Sequence, residues 1–186
     1  MTYNDFIASK ARTAVQAGFD MRPSIGPLFP FQKMIVEKAC RAGRYAIFAD
    51  TGLGKTIMQL EWATQCAHHT GGSALILTPL AVVEQTKREA ANFGYDLSKI
   101  TVTNYEQLDN INVREYSSVV LDESSILKSF DGKMRNRLIT SFQNTPYKLC
   151  CTATPSPNDH MELGNHSEFL GYMSYREMLA MFFVHD

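Results

Sequence analysis

A glycine-containing loop between two predicted elements is the part of the sequence best suited to chemistry. The apolar segment Tyr45 to Phe48 predicts a buried strand, and the amphipathic segment Lys55 to Ala67 predicts a helix. Between them, Gly52 and Gly54 let the backbone wrap closely around an anion, while N–H groups and the helix N-terminus supply positive partial charge. The segment follows the pattern G-x-x-x-x-G-K-T with Ala49 in its first position. It predicts a loop that binds the phosphates of a nucleoside triphosphate.

Four side chains have defined chemical roles beside such a loop. Lys55 would contact the β- and γ-phosphates, and the Thr56 hydroxyl would bind Mg²⁺. Further along the chain, Asp122 and Glu123 follow an apolar run. Asp122 would hold Mg²⁺ directly or in its second shell, and Glu123 would polarise the attacking water. An acidic helix cap would explain such a pair in isolation, but beside a phosphate loop we interpret Lys55, Asp122 and Glu123 as catalytic.

The rest of the chain alternates apolar runs with amphipathic segments, which must position these groups. The patterns predict further strands over 73–78, 100–103, 117–121 and 147–152, and helices over 5–19, 32–42, 80–93, 131–142, 157–170 and 175–183. This alternation predicts a doubly wound α/β fold, in which helices cover both faces of a parallel sheet. Ligands bind beyond the carboxyl ends of such strands, where Lys55, Thr78, Asp122, Glu123 and Thr152 all fall.

Composition limits the classes of protein that fit. The 186 residues are 45% hydrophobic, enough for one core. Lys and Arg number 18 against 19 Asp and Glu, so a nucleic-acid surface would have to be a local patch. Four cysteines without a C-x-x-C pair predict buried thiols in a reducing compartment. With no signal peptide and no membrane-length apolar stretch, we expect a cytoplasmic protein without a membrane partner.

The order of these segments resembles the first RecA-like lobe of superfamily 2 helicases and translocases. The matching segments, from the Q motif through motifs I, Ia, Ib, II and III, are Gln32, 49–56, 77–79, 103–105, 121–125 and 151–155. Segments 28–32, 52–56 and 154–163 are similar to the Swi/Snf-type double-stranded DNA translocases, and the whole to compact phage and bacterial helicases. In contrast, Ala49 to Gly52 is closer to the DEAD-box form, and motif II is spelled Asp-Glu-Ser-Ser.

The resemblance implies roles for the matching residues. Gln32 would read adenine and so select ATP over GTP. The implied nucleotide-binding residues are Phe31, Gln32, Thr51, Gly52, Leu53, Gly54, Lys55, Thr56 and Ile57, and the metal ligands are Thr56 and Asp122. Thr78, Pro79, Asn104 and Tyr105 would face a nucleic-acid backbone, and Thr152 and Thr154 would link the γ-phosphate to that surface. Strand-end hydroxyls that bond local backbone are the alternative explanation for Thr78 and Thr152.

The implied function is an ATP-binding lobe of an ATPase that moves along double-stranded DNA, in a bacterium or a phage-infected cell. Residues 1–27 would form an N-terminal helix and connector, and 28–186 the lobe. A second RecA-like lobe, absent from this chain, would supply arginine fingers in cis or in trans, so the lobe alone should be nearly inactive. An RNA helicase lobe and a non-hydrolysing, nucleotide-gated binding module are the alternatives. The nucleic acid along which the ATPase would move is called the track. The basic residues that could contact it, or that could simply be solvated, are Lys87, Arg88, Lys128, Lys133, Arg135 and Arg137.

Overall fold

A five-stranded parallel sheet forms the centre of the molecule. The computed structural model describes residues 18–128 and 132–183. Its strands are β1 (Arg44–Phe48), β2 (Ser73–Thr78), β3 (Ile100–Asn104), β4 (Tyr116–Asp122) and β5 (Tyr147–Thr152). They lie in the order β1-β5-β4-β2-β3, and each neighbouring pair is parallel. The predicted parallel α/β fold is therefore confirmed, and all five strands end at the same edge of the sheet.

Helices connect the strands and cover the sheet. They are α1 (Pro30–Ala42), α2 (Lys55–Thr70), α3 (Val83–Asn92), α4 (Lys133–Ser141), α5 (Leu163–Leu170) and α6 (Tyr175–Phe182). The helices predicted over 80–93 and 157–170 are shorter than expected, because short 3₁₀ turns at Leu80–Val82 and His160–Glu162 precede them. Residues 5–17 of the predicted N-terminal helix lie outside the described residues. Within the described ranges, no helix has the length and apolar character needed to span a membrane.

The strands carry a packed apolar layer on each face. One layer includes Trp62 of α2 and Ile76 of β2, and the other includes Leu75 and Leu77 of β2 together with Phe142. Neighbouring residues of β2 thus enter opposite layers, as the period of two in a strand requires. All five side chains are fully buried. The four cysteines are buried thiols, as predicted.

The Pro- and Gly-containing connector before α1 is part of this packed structure. Glu61 of α2 is fully buried and accepts hydrogen bonds from the backbone N–H groups of Ile25 at 3.1 Å and Gly26 at 3.2 Å. The Tyr95 hydroxyl donates to the same carboxylate at 2.8 Å. One turn further along α2, Gln65 accepts a hydrogen bond from the Arg22 N–H at 3.0 Å. Polar groups of α2 therefore hold a segment that the composition alone had marked as a linker.

Polar side chains of the sheet and of α4 hold helix α5 in place. Arg135 of α4 is buried and donates to Asn165 Oδ1 at 3.1 Å and to Glu168 Oε2 at 2.5 Å. At the other end of α5, Lys148 Nζ donates to the Phe169 carbonyl at 2.9 Å and Arg44 to the Leu170 carbonyl at 3.3 Å. Burial lowers the pKa of Lys148 to about 8. Cations at a helix C-terminus also favour the helix dipole.

Candidate nucleotide-binding site

The predicted phosphate loop joins β1 to α2 at the carboxyl edge of the sheet. Gly52 has a φ of 79° and Gly54 a φ of 74°, in the left-handed region that favours glycine. A Cβ at position 54 would lie 2.4 Å from Gln32 Nε2. The backbone conformation of Gly54 thus favours glycine, and a larger residue would also have to displace the Gln32 amide. Both glycines of the loop therefore have the backbone freedom that the predicted phosphate loop requires.

Lys55 folds back over this loop. Its Nζ atom donates to the carbonyl of Ala49 at 3.1 Å and to that of Asp50 at 3.3 Å. The Asp50 carboxylate accepts a hydrogen bond from the Thr51 N–H at 2.7 Å, which keeps that side chain turned along the loop. The structure therefore places the ammonium group of Lys55 against the start of the loop, at the base of α2.

Gln32 connects α1 to the phosphate loop. The side chain is 4% exposed, its Nε2 donates to the Leu53 carbonyl at 3.1 Å, and its Oε1 accepts from the Phe29 N–H at 2.9 Å. Both ends of the amide thus engage the protein itself. This geometry assigns Gln32 a part in holding the loop, whereas the contact with adenine stays a prediction.

Two exposed aromatic rings lie at the start of α1. Phe29 and Phe31 are 63% and 41% exposed, and their rings stack with centroids 6.3 Å apart and planes 7° from parallel. Phe31 is among the predicted nucleotide-binding residues, and the structure adds Phe29 as its stacking partner. The signal for Phe29 was present in the sequence as a second aromatic residue two positions before Phe31.

Asp122 is oriented by two side chains from neighbouring elements. Its Oδ1 accepts a hydrogen bond from Gln59 Nε2 at 2.7 Å, and its Oδ2 accepts one from Thr78 Oγ1 at 2.8 Å. Gln59 lies one turn after Lys55 on α2, so it ties the helix of the phosphate loop to the acid at the end of β4. Sequence reasoning missed Gln59; the available signal was a polar side chain one helical turn beyond a phosphate-loop lysine.

Three residues expected to face a nucleic-acid backbone are buried in this lobe, and their contact with nucleic acid stays a prediction. Thr78 is fully buried, and its hydroxyl donates a hydrogen bond to Asp122. Tyr105 is 3% exposed, and its hydroxyl donates to the Asp122 carbonyl at 2.6 Å. Asn104 caps the following 3₁₀ turn by accepting a hydrogen bond from the Gln107 N–H at 3.1 Å. These side chains support the acid-bearing strand, while Pro79 is half-buried and Thr154 is exposed.

Glu123 occupies a strained turn. Its φ of 51° and ψ of 52° are left-handed, and it is the one non-glycine residue with positive φ in the described part of the chain. Its carboxylate accepts a hydrogen bond from Thr152 Oγ1 at 3.2 Å, and the same oxygen of Thr152 accepts from the Thr154 N–H at 3.1 Å. The structure thus brings Glu123 together with the predicted coupling residues at the end of β5. Such strain persists where the surroundings over-determine a conformation.

The six basic residues proposed for a nucleic-acid surface differ in exposure and in pairing. Arg135 is buried, and Arg137 forms an ion pair with Asp109, so neither belongs to a free basic face. Lys87 is paired with Glu84 at 2.9 Å. Exposed side chains are Arg88, Lys128 and Lys133. Lys128 lines a cavity of about 380 Å³ that also contains Glu123 and the Leu80 side chain, which is 67% exposed.

Known structures identify the architecture. The SWI2/SNF2 ATPase core of Sulfolobus solfataricus in complex with dsDNA matches with a TM-score of 0.69 and 20% identity, over 87% of this chain and 40% of that chain. The chain has the RecA-like fold. The Hef helicase domain of Pyrococcus furiosus matches this RecA-like domain with a TM-score of 0.64 and 19% identity, over 82% of this chain and 38% of that chain.

A phage protein has the same fold. The UvsW helicase of bacteriophage T4 matches the RecA-like domain with a TM-score of 0.63 and 13% identity, over 94% of this chain and 66% of that chain. The chain therefore spans about 40% of the length of the first two proteins and about two thirds of the third. Protein-family models and curated proteins give no match.

Proposed function

We propose that this chain is the ATP-binding lobe of a nucleic-acid-dependent ATPase. The observation that carries the proposal is the hydrogen bond from Gln59, on the helix of the phosphate loop, to Asp122 at the end of β4. It joins the two halves of a phosphoryl-transfer site at the edge where ligands bind in parallel sheets. A loop with positive-φ glycines and a lysine would be weak evidence alone. Here, Gln59 of the helix that follows the loop also binds the carboxylate of Asp122.

The proposed substrate is ATP with Mg²⁺. The residues fit this assignment, because Gly52 and Gly54 leave the backbone free to approach phosphate oxygens, and Lys55 supplies a cation at the base of the loop. Thr56 and Asp122 would hold Mg²⁺, which when bound neutralises charge on the phosphate oxygens. Both oxygens of Asp122 accept hydrogen bonds, which fixes the orientation of the carboxylate beside the phosphate loop.

Glu123 is the residue proposed to act on the attacking water. A carboxylate beyond the end of β4 can orient a water molecule and accept its proton as the new bond to phosphorus forms. The hydrogen bond from Thr152 restricts the rotation of this side chain and leaves its second oxygen available. Thr152 would then be the point at which the acid is connected with the residues that follow β5.

The proposed track is double-stranded DNA, and a second RecA-like lobe would complete the catalytic cleft. The DNA assignment is supported by the similarity to a SWI2/SNF2 ATPase core that was solved in complex with dsDNA. The cavity beside Glu123, with Lys128 and the exposed Leu80, offers a cation and an apolar contact next to the acid. The second lobe is supported by the lengths of the similar structures, of which this chain covers 40% and 38% in the first two.

The first test is nucleotide binding by the Lys55→Ala variant. Equilibrium titration with Mg²⁺ and a fluorescent ATP analogue should give at least about tenfold weaker binding than the wild-type chain, because the variant lacks the cation that contacts the phosphates. Lys38→Ala, an exposed substitution on α1, is the matched control and should bind as the wild type does. Equal binding by Lys55→Ala and Lys38→Ala would contradict the proposal.

Hydrolysis then distinguishes the possible tracks. Steady-state turnover is measured without nucleic acid and with double-stranded DNA, single-stranded DNA or RNA, with Lys55→Ala as the blank. Stimulation by double-stranded DNA above the other nucleic acids supports the proposed translocase lobe, whereas stimulation by RNA alone would favour the RNA helicase alternative. Since arginine fingers contribute about 10³ to 10⁵ in turnover, the assay is repeated with the chain joined to a second lobe.

A further inference from the structure

We propose that His166 is a positioning residue that holds the Glu123–Ser124 turn in the conformation needed for hydrolysis. The inference rests on the proposed function, since it assigns a role to a residue that acts through Glu123. His166 lies on α5, outside the segments that resemble known motifs, and none of the predicted site residues belongs to that helix.

The turn needs an external support. Glu123 has left-handed backbone angles, which a residue with a Cβ rarely adopts, so the turn by itself would relax to another conformation. Tyr105 fixes the residue before it, through the hydrogen bond to the Asp122 carbonyl at 2.6 Å. The Ile126 N–H donates to the Glu123 carbonyl at 3.1 Å, within the turn itself. The residue that follows Glu123 needs a comparable anchor.

His166 supplies that anchor. Its Nε2 lies 3.0 Å from the Ser124 hydroxyl, and the two side chains are 2% and 0% exposed. The imidazole also packs edge-to-face with the ring of Phe48, with centroids 5.3 Å apart and planes at 83°. Phe48 is the last residue of β1, directly before the phosphate loop. One side chain of α5 therefore contacts the segments that carry both halves of the site.

A purely structural role does not explain this residue. Helix α5 is already fixed by Arg135 on one side and by Lys148 and Arg44 at its C-terminus. Moreover, the ring of His166 is 2% exposed and meets polar groups at Ser124 and at the backbone of Glu162. Burying a polar imidazole costs its hydration, so an apolar side chain would serve packing alone better. The contact with Ser124 is what an imidazole adds at this position.

The test compares His166→Leu with His166→Gln, whose amide nitrogen can take the place of Nε2. Single-turnover hydrolysis of ATP, with the protein in excess, should slow by about ten- to a hundredfold in His166→Leu, the range expected when a reacting group is misplaced. The dissociation constant for ATP should stay within about twofold, because the phosphate loop keeps its contacts. His166→Gln should recover most of the rate. A wild-type rate in His166→Leu would overturn the proposal.

Hydrogen exchange supplies a measurement that does not depend on turnover. In His166→Leu, the amides of 123–127 should exchange faster than in the wild type, while those of α5 and of the phosphate loop should not, and His166→Gln should restore protection. Unchanged exchange in the turn, or faster exchange confined to α5, would overturn the proposal. Failure of the proposed function would give a different result. In that case the wild-type protein would show no binding or hydrolysis of ATP that depends on Lys55.

Discussion

At the scale of single residues, Asp122 and Glu123 are adjacent in sequence but held in different ways. Asp122 ends a regular strand, and both of its carboxylate oxygens accept hydrogen bonds from buried side chains. Glu123 leaves the strand with a left-handed backbone, and its carboxylate accepts a hydrogen bond from Thr152. The first acid is therefore held rigidly, as a metal ligand should be, and the second is held by a turn that can respond to its surroundings.

The backbone strain at Glu123 predicts a difference between two substitutions. Glu123→Gly should unfold at higher urea concentration than Glu123→Ala, by about 1 kcal/mol in free energy of unfolding, because glycine adopts positive φ without a steric penalty. Both variants should lose ATP hydrolysis while they still bind ATP. Equal stability of the two variants would show that the turn relaxes when the carboxylate is removed.

The contact between Thr78 and Asp122 predicts which step a substitution affects. Thr78→Val keeps the shape of the side chain but removes the hydroxyl donor, so turnover should fall by about tenfold without a change in affinity for double-stranded DNA. Thr103→Val, on the neighbouring strand β3, is the matched control. Weaker DNA binding with normal turnover would instead support the expectation that Thr78 contacts the nucleic acid.

At the scale of elements, α5 packs beside the acid-bearing turn and is tied to α4, β1 and β5 by polar side chains. Arg135 reaches it from α4, and Lys148 and Arg44 reach it from the starts of β5 and β1. These contacts make α5 a fixed support against which the turn after β4 can be held. The arrangement also buries the imidazole of His166, and this burial lowers its pKa to about 4.

The lowered pKa of His166 predicts acid sensitivity. The unfolded chain would bind a proton at this residue near the ordinary pKa of 6.5, whereas the folded chain does so near 4, so the unfolded state binds more protons between these values. The contribution of His166 to the free energy of unfolding is therefore highest above pH 6.5, and it decreases as the pH falls towards 4. On the order of 2 kcal/mol should disappear between pH 7 and 5.

Urea unfolding of the wild type and of His166→Gln at these two pH values measures the effect. The difference between the two proteins cancels the titration of other groups, including that of Glu162 one turn earlier, whose charge partly opposes the effect of burial. The variant should lose less stability on acidification than the wild type. Parallel losses in both proteins would show that His166 does not carry the dependence.

At the scale of the whole molecule, formal charge is nearly balanced, and burial or ion pairing occupies some of the candidate cations. The formal net charge is -1, and the buried or ion-paired Arg135 and Arg137 remove two candidates from the presumed basic face of α4. Lys128 remains, because it is exposed and lines the cavity that contains Glu123. Binding of nucleic acid to this lobe should accordingly be weak and depend on few phosphate contacts.

Lys128 is expected to make one of those contacts. Lys128→Ala should weaken binding of double-stranded DNA and reduce the slope of log K against log salt concentration by about 0.9, the value for one phosphate contact. Fluorescence anisotropy over a range of salt concentrations measures both quantities. Lys38→Ala is again the matched control, and an unchanged slope in Lys128→Ala would place the DNA surface elsewhere.

The sequence by itself determined the features that depend on neighbours along the chain. Apolar runs located β1 to β5, and the glycine spacing before Lys55 located the phosphate loop, because strand and turn preferences act over a few residues. The alternation of strands and helices then fixed a parallel sheet, since a parallel connection needs a crossover. That the acids lie at the edge that carries the loop followed from this topology.

Only the tertiary structure decided which polar side chains meet. The hydrogen bond of Gln59 to Asp122 joins residues 63 positions apart, and that of Ser124 to His166 joins residues 42 apart. The strand order fixes such distances, and no local pattern encodes them. For the same reason, Thr78 and Arg135 looked like surface residues in the sequence and are buried in the fold, where each binds an acidic side chain that its neighbours along the chain do not provide.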